Sequence, residues 1–348
     1  MALVFGDSFD HYLYADMGKK WLQVGNYGNS GIHSTYALSP HIFGLNAASI
    51  NTTPGYFEKA LPAAQETFIA GVWFQHSSFA NAGILIAGVD GAAEHVSVRY
   101  DVTGHITFTR NGTVLATSTN TMSINTWYHI EVKATIGDAV DSPSGRYEVR
   151  VNGSATGWIA DSGVGQDTRN AGNKSINYIR LYCRSANSAA GHWYQDFYIL
   201  NTTGAVASDF LGMSIFTVLR PQAAGNSTQW SGNYAQNWLN VSEVVADGDT
   251  TFNQSSTAAQ IDLFAMNDIP TGTVHAIQHV IMARQDTGSQ RTIRPKTRIS
   301  TTNYNGTSVN TSVSFSFITE AVSISPATSS AWDDDEINAA EFGYELVS

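Results

Sequence analysis

Apolar and polar side chains alternate strictly over residues 128–136. Every second residue there is apolar, and the residues between them, including His129 and Glu131, are polar or charged. The same alternation returns over 147–151, after a loop rich in glycine, serine and aspartate. A period of two predicts strands with one face in a core and the other in water. The two runs therefore predict an antiparallel hairpin, and Asn152-Gly153 predicts a tight turn into a further hairpin.

The rest of the first half consists of short apolar runs separated by glycine, aspartate and asparagine turns. The chain opens with a predicted strand and a short helical or irregular turn within 4–16, and a strand over 45–57 includes a turn at Thr53-Pro54-Gly55. Further strands are predicted over 66–74, 84–89, 96–100, 106–109, 176–183 and 192–201. The first of these is apolar on both faces, which places it at the centre of a sheet or against a neighbouring subunit. Strands at this spacing predict an all-β sandwich.

The pattern of residues changes near Gly204, and we therefore predict two domains, residues 1–203 and 204–348. The C-terminal domain is expected to be β-rich and to serve in assembly or docking. Strands are predicted there over 215–221, 274–283 and 312–317. Asp333, followed by Glu336 three residues later, matches a capping box and predicts a short helix, with a last strand after it.

Low charge limits the classes of partner. Only 14% of the 348 residues are charged, and the formal net charge is −11. A surface built mainly from serine, threonine and asparagine fits a protein that is packed in an assembly or exposed outside a cell. Nucleic-acid binding requires clustered lysine and arginine, so we expect no nucleic-acid partner. The densest basic run, 291–298, is interpreted as a solvated strand face.

The sequence also bears on the compartment. The single cysteine, Cys183, shares its parity with Ile179 and Leu181, which predicts a buried thiol and no intrachain disulfide. The first residues lack the basic and apolar regions of a signal peptide. No stretch approaches the ~18 apolar residues of a membrane helix. We therefore expect synthesis in a cytoplasm, no signal peptide and no membrane span.

The central hairpin carries a family resemblance. Its Trp-Tyr-His-Ile-Glu-Val strand over 127–132, followed by the strand over 147–153 that ends in Val-Asn-Gly, resembles the laminin-G and concanavalin A-like β-sandwiches. The strand over 192–201 resembles the one that closes such sandwiches. The resemblance implies a concanavalin A-like (laminin-G-like) jelly-roll sandwich, followed by a second, smaller β-sandwich domain with a short C-terminal helix. It says little about activity, because this fold hosts lectins, adhesion modules, glycosidases and structural domains.

The second half carries a more specific resemblance, in the blocks 219–230, 237–243, 247–251, 283–293 and 331–343. The first runs Leu-Arg-Pro-x-Ala-Ala-Gly-Asn-Ser-Thr-Gln-Trp, and the last runs Ala-Trp-x-x-Asp-Glu-Ile-Asn-Ala-Ala-Glu-Phe-Gly. These blocks resemble structural proteins of tailed bacteriophages. The resemblance covers nearly the whole chain and implies a virion protein of the tail or capsid, made in the host bacterial cytoplasm, with other virion proteins as partners. Virion appendages have closed symmetry, so we expect a homo-oligomer, with a trimer as the first choice.

Catalytic motifs are absent from the sequence. Glucanases of the concanavalin-like fold use Glu-x-Asp-x-x-Glu on one strand face to bring carboxylates together, and no glutamate here starts such a run. Gly-x-Ser-x-Gly and His-Glu-x-x-His are absent too. Asp247-Gly248-Asp249 and the acidic triplet 333–335 could ligate calcium, but they are interpreted as a tight turn and a helix N-terminus. We therefore assign no catalytic, cofactor-binding or metal-binding residue.

Aromatic side chains in polar loops are the remaining candidates. Trp230, Tyr234 and Trp238 lie close together in a stretch that also supplies asparagine and glutamine. Sugar-binding sites stack aromatic faces on sugar rings and surround them with such side chains, so these three residues are candidates for glycan contact. In the alternative interpretation, the tryptophans close the ends of a small sandwich.

Three functions follow from these observations. The first is a non-enzymatic structural protein of a tailed-phage particle, either a tail or fibre component or a capsid decoration protein, with a slight preference for the tail. The second is a lectin-like receptor-binding module that contacts a host-surface glycan. The third is a polysaccharide-cleaving enzyme whose catalytic residues are distant in sequence.

Overall fold

The computed structural model describes residues 3–12, 14–24, 31–32, 43–45, 55–140, 143–182, 192–286 and 288–348. The chain forms two compact units, Val4–Phe216 and Thr217–Ser348. Cys183 and most of the turn predicted at Thr53-Pro54-Gly55 lie outside the described residues. Among the helices that the structure does describe, none is long and apolar enough to span a membrane.

The first unit is built almost entirely from strands, whose described members are, in chain order, β1 Leu3–Asp7, β2 Leu22–Val24, β3 Gly31–Ile32, β4 Phe43–Leu45, β5 Tyr56–Gln65, β6 Thr67–His76, β7 Gly83–Asp90, β8 Ala93–Tyr100, β9 His105–Arg110, β10 Thr113–Thr121, β11 Tyr128–Thr135, β12 Arg146–Val151, β13 Ser154–Ile159, β14 Ile176–Tyr182 and β15 His192–Asn201, with a 3₁₀ helix at Tyr14–Lys19. One sheet has the order β13-β12-β11-β6-β15-β4-β3, with β1 also paired to β15. We call it the β6 sheet. The other, the β7 sheet, has the order β10-β9-β8-β7-β14-β5-β2.

The two sheets enclose one apolar core. Phe68 and Val72 on β6 and Ile130 on β11 are all buried, because the alternation of the strand turns them to the same side. From the two sheets, Phe108 and Tyr147 stack with their ring centroids 4.2 Å apart. The prediction of an all-β sandwich with jelly-roll character is confirmed.

The central hairpin forms as its sequence predicts. β11 and β12 pair antiparallel, with Val132 opposite Val149. Asn152 and Gly153 both adopt positive φ, 51° and 79°, which is the backbone of the two-residue turns that connect hairpins. β6 pairs with β11 on one side and β15 on the other, so its predicted central position is also confirmed.

The predicted wet face of β11 is wrong in its first half. His129 and Glu131 are both 0% exposed. The reason is residues 209–216, which lie against this outer face and hydrogen-bond to it. The predicted strand over 215–221 is also wrong, because only its last residue, Pro221, belongs to a strand. The predicted boundary near Gly204 falls inside the first unit, which extends to Phe216. Side chains of this unit hydrogen-bond to the backbone of residues 211–216.

The second unit is a smaller β structure with one short helix, and its elements are β16 Pro221–Thr228, β17 Ser231–Gly232, a 3₁₀ helix Asn237–Asn240, β18 Asn253–Gln254, β19 Ile261–Met266, β20 Ile277–Ala283, β21 Thr292–Ile299, β22 Thr302–Asn305, β23 Val309–Asn310, β24 Ser316–Val322, α1 Asp334–Ala339 and β25 Glu341–Leu346. The main sheet has the order β16-β19-β25-β21-β22, with β23 on β21. β20 and β24 form a separate ribbon. Ile318 of this ribbon packs with Phe264 and Tyr344 of the main sheet, which makes a second, smaller sandwich.

The short helix begins as predicted. Asp333 is the N-cap of α1, and its Oδ1 accepts a hydrogen bond of 3.0 Å from the Asp335 amide. The basic run 291–298 is not the solvated face that the sequence predicts. Lys296 on β21 is buried and donates to Glu345 on β25, because the two strands are neighbours in the sheet.

Candidate functional site

The three aromatic candidates lie on one loop of the second unit, residues 229–240, which we call the Trp230 loop. The Trp230 indole donates a 3.0 Å hydrogen bond to the Gln260 carbonyl, and its ring lies edge-on to Tyr344 with centroids 4.7 Å apart. Trp238 packs against the same apolar cluster. Tyr234 differs from both, since it is 54% exposed. The structure thus packs the two indoles against one apolar cluster, partly buried, and leaves Tyr234 on the same loop with about half of its surface exposed.

A buried carboxylate fixes the start of this loop. Asp262 on β19 is fully buried. It accepts hydrogen bonds from the backbone amides of Gln229 at 2.6 Å and Trp230 at 2.9 Å, and from the Asn237 side chain at 2.7 Å. Burial raises the pKa of Asp262, and these three donors oppose the shift. Buried polar networks whose members are all paired make the surrounding structure rigid.

Two asparagines fix the rest of the loop. Asn240 is buried, and its Oδ1 accepts a 2.9 Å hydrogen bond from the backbone amide of Tyr234. Its amide nitrogen donates to Asn253 Oδ1 at 2.8 Å. Asn253 in turn donates to the Tyr344 hydroxyl at 2.8 Å. The backbone beneath Tyr234 is therefore held by the core, while exposed Asn233 and Gln236 lie on either side of it in the chain.

The acidic candidates have local partners. Both carboxylate oxygens of Asp247 accept hydrogen bonds from the Thr251 hydroxyl at 3.0 Å, so this stretch is a self-bonded turn. Asp249 pairs with Arg284 at 2.8 Å, and Asp333 caps α1. Within the described part of the chain, no group of three or more His, Cys, Asp or Glu residues is arranged to hold a metal ion.

Sequence reasoning missed a polar cluster on the outer face of the β6 sheet. Glu131 Oε1 accepts hydrogen bonds from the Tyr198 hydroxyl and from the backbone amides of Leu211 at 2.9 Å and Gly212 at 3.0 Å. The His129 ring lies 5.2 Å from the Trp73 ring, between centroids. Neither ring nitrogen of His129 has a hydrogen-bond partner among the described residues. The only signal in the sequence was that both faces of the neighbouring strand, β6, are apolar.

Burial governs the chemistry of this cluster. It lowers the pKa of His129 to about 4, so the imidazole is neutral at pH 7. Burial also raises the pKa of Glu131, against the opposing effect of its hydrogen bonds to Tyr198 and the two amides. A neutral imidazole beside a carboxyl with raised pKa has the components of an acid–base pair. Here the chain itself covers them, because residues 209–216 lie over this face.

A serine, a histidine and an aspartate also meet after β1. The Ser8 hydroxyl donates to Asp10, and His11 Nδ1 lies 3.4 Å from both Ser8 Oγ and Asp10 Oδ1. His11 Nε2 instead faces Lys20 Nζ at 3.0 Å. A catalytic triad needs the serine on one ring nitrogen and the carboxylate on the other. This arrangement therefore lacks the geometry that activates a serine nucleophile.

Comparison with known proteins gives structural likeness at low identity. No family model and no curated protein matches the chain. Among solved structures, a sialidase matches with a TM-score of 0.41 and 10% identity, over 57% of this chain and 19% of that one. The alginate lyase AlgAT5, of polysaccharide lyase family 7, matches with a TM-score of 0.31 and 11% identity, over 46% and 74% of the two chains. The carbohydrate-binding module CBM66 from Bacillus subtilis gives 0.28 and 14%, over 46% and 95%. The chain thus spans about a fifth of the sialidase.

Proposed function

We propose that this chain is a non-enzymatic structural protein of a tailed-phage particle, and that it contacts a glycan through the Trp230 loop. The observation that carries the glycan contact is Tyr234, a half-exposed aromatic ring on a backbone fixed by buried Asp262 and Asn240. A rigid aromatic side chain gives contact area at low entropic cost. Because the loop is already held in place, little ordering is needed when a ligand binds.

The virion role rests on the sequence blocks of the second half and on the low charge of the chain. The blocks 219–230 and 237–243 include the Trp230 loop itself. The non-enzymatic part is supported by the clusters described above, since the Glu131 carboxyl is covered by the chain and the Ser8 hydroxyl lacks triad geometry. Partners in this proposal are other virion proteins, further copies of this chain and a host-surface glycan.

Locating the protein in purified particles by cryo-electron microscopy tests the virion role. Density at the tail tip or fibres supports a tail component and makes host recognition its task. Density at many copies over the capsid lattice makes it a decoration protein and overturns the preference for the tail. If the protein is absent from the particle, the structural role is wrong.

Glycan binding is tested on arrays of bacterial surface polysaccharides. Tyr234→Ala should weaken binding at least tenfold, which corresponds to about 1.4 kcal/mol, whereas Tyr234→Phe, which keeps the ring, should bind like the wild type. Leu239→Ala is the matched control, because Leu239 is 40% exposed on the same loop and is not a proposed contact. If no array member binds, or if Tyr234→Ala binds as well as the wild type, the glycan contact through this loop is wrong.

A further inference from the structure

The segment 209–216, which we call the strap, crosses the outer face of the β6 sheet without joining a ladder. Side chains of the sheet hold its backbone instead. Glu131 accepts the amides of Leu211 and Gly212, and Asp196 Oδ1 accepts the Phe216 amide at 3.1 Å. The Trp73 indole donates to the Ser214 carbonyl at 3.1 Å. Three of these four contacts therefore end on a carboxyl group.

The other contacts of the strap that involve charged side chains are at the surface. Asp209 pairs with Lys133 at 3.0 Å, and Asp209 is 67% exposed. The guanidinium of Arg150 lies 4.1 Å from the centre of the Phe210 ring. Exposed pairs of this kind contribute little in water. The two buried carboxyl groups are thus the contacts most sensitive to a change of charge.

A phenol, an imidazole and a guanidinium group lie around Glu131. Tyr198 approaches from β15 and donates its hydroxyl proton. His129, on the same strand, places Nδ1 3.9 Å from Glu131 Oε2. Arg150 on β12 acts on Glu131 through its charge.

Asp196 lies in a different environment. It is buried at a bulge of β15, with a positive φ of 50°. Burial raises its pKa, while hydrogen bonds from the Phe216 amide and the Gln195 side chain lower it. The charges that raise it further are those of Asp10 and Asp7, both negative. Asp7 is itself paired with Lys20 at 2.9 Å. Burial and the negative neighbours favour the protonated form of Asp196, and they outweigh the two hydrogen bonds, which favour the ionised form.

We propose that the strap is a proton-controlled cover, held closed over the outer face of the β6 sheet while Asp196 and Glu131 carry protons and loosened when they lose them. Opening would bring His129, Glu131 and Trp73 into contact with solvent. The closed state leaves the His129 ring nitrogens and Glu131 Oε2 without hydrogen bonds among the described residues. Water would supply those bonds once the strap leaves.

The direction of the pH dependence follows from linkage. Burial, opposed by the hydrogen bond from the Phe216 amide, raises the pKa of Asp196 to about 7 in the closed state. Contact with water in the open state moves this pKa towards the ordinary aspartate value of roughly 4, while Asp7 and Asp10 remain in place. The closed state therefore binds the proton more tightly, and lowering the pH favours closure. The opening constant should therefore rise with pH by at most about tenfold per pH unit and level off above roughly pH 7. The raised pKa of Glu131 acts in the same direction.

Hydrogen–deuterium exchange of the whole chain, residues 1–348, measures this equilibrium. Rates for a peptide covering residues 205–216 are compared from pH 5 to pH 8, after correction for the intrinsic pH dependence of amide exchange. We expect protection to fall over this range by up to about a hundredfold. A peptide from the ladder of β11 and β12 is the internal reference and should change little. A flat profile for the strap peptide overturns the proposal.

Substitutions identify the groups involved. Asp196→Asn keeps an acceptor but cannot ionise, so it should stay protected and lose most of the pH dependence. Glu131→Gln should lose the part of the pH dependence that comes from ionisation of Glu131. It provides a second test if Asp196→Asn does not fold. Asp209→Asn is the matched control on the strap, because hydrogen bonds from the Phe210 amide and Lys133 lower the pKa of Asp209 against the effect of burial. A wild-type profile in both Asp196→Asn and Glu131→Gln contradicts the proposal.

Discussion

At the scale of single residues, Gly71 allows the buried cluster of the β6 sheet to form. A Cβ at this position would overlap the Tyr198 ring, which lies across β6 to reach Glu131. Gly71→Ala must therefore shift either the ring or the strand, and overpacking of this kind costs about 1–3 kcal/mol. Urea unfolding of the variant should show a loss of this size, together with lower protection of the strap.

Gly18→Ala is the control for this substitution. Nothing lies within 4 Å of a Cβ built at Gly18. The control should change the free energy of unfolding by less than about 0.5 kcal/mol. If Gly71→Ala is as stable as the control, the position of the Tyr198 ring does not depend on the absence of a side chain at residue 71.

The sequence reveals some of these residues and hides others for a physical reason. Trp230, Tyr234 and Trp238 could be selected because aromatic residues among asparagines suggest a ligand surface, and the structure places them on one loop. The alternation in β11 places His129 and Glu131 on the face opposite the core, and it therefore predicts that they contact solvent. It shows which residues share a face of the strand, but not what packs against that face. Residues 209–216 cover this face, and Leu211 is 80 residues from Glu131 in the chain. A local pattern in the sequence cannot show a contact over that separation.

At the scale of elements, strand register brings opposite charges together in the second unit. Arg294 on β21 lies directly opposite Glu345 on β25 and binds both of its carboxylate oxygens, at 2.8 and 3.1 Å. Lys296, two residues along, donates to the same carboxylate. Glu345→Gln leaves two cations facing a neutral group and should lower the free energy of unfolding by about 2–3 kcal/mol at pH 7.

The pH dependence of this loss has a fixed sign. Burial alone would raise the pKa of Glu345, but hydrogen bonds from Arg294 and Lys296 lower it below its ordinary value. A lowered pKa stabilises the fold above the unfolded pKa, roughly 4.3, and that contribution disappears as the pH falls. The difference in unfolding free energy between wild type and Glu345→Gln should shrink from pH 6 to pH 3 in urea unfolding.

Glu341→Gln is the control for this substitution. Glu341 Oε2 lies 4.0 Å from Arg298 Nε, and removing its charge should cost less than about 1 kcal/mol. An equal loss of stability in both variants would contradict the special role of Glu345.

Elements defined by local chemistry are the ones that the sequence predicts well. The β11–β12 hairpin has alternation and an Asn152-Gly153 turn, and α1 has Asp333 as its cap. The strand predicted over 215–221 fails because its first residues satisfy backbone groups with side chains such as Asp196 instead of a neighbouring strand. Apolar residues alone do not distinguish these two outcomes.

At the scale of the whole molecule, the strap decides where the first unit ends. The sequence divides the chain after residue 203, whereas the compact units of the structure divide after Phe216. The thirteen residues between the two boundaries, 204–216, include every strap amide that Glu131 and Asp196 accept. A first unit that ends at Phe216 therefore includes the residues that cover the outer face of the β6 sheet, whereas one that ends at residue 203 does not.

Two fragments distinguish these boundaries. Residues 1–216 should fold with a single cooperative transition, because they retain the strap. Residues 1–203 lose three hydrogen bonds to carboxyl groups, each worth about 1 kcal/mol net, and expose Trp73 and His129. We expect the shorter fragment to be less stable by about 2–4 kcal/mol in urea unfolding at pH 6, where the strap is closed, and to show a smaller difference at pH 8. Equal stability of the two fragments would place the boundary at residue 203 and make the strap a passive linker.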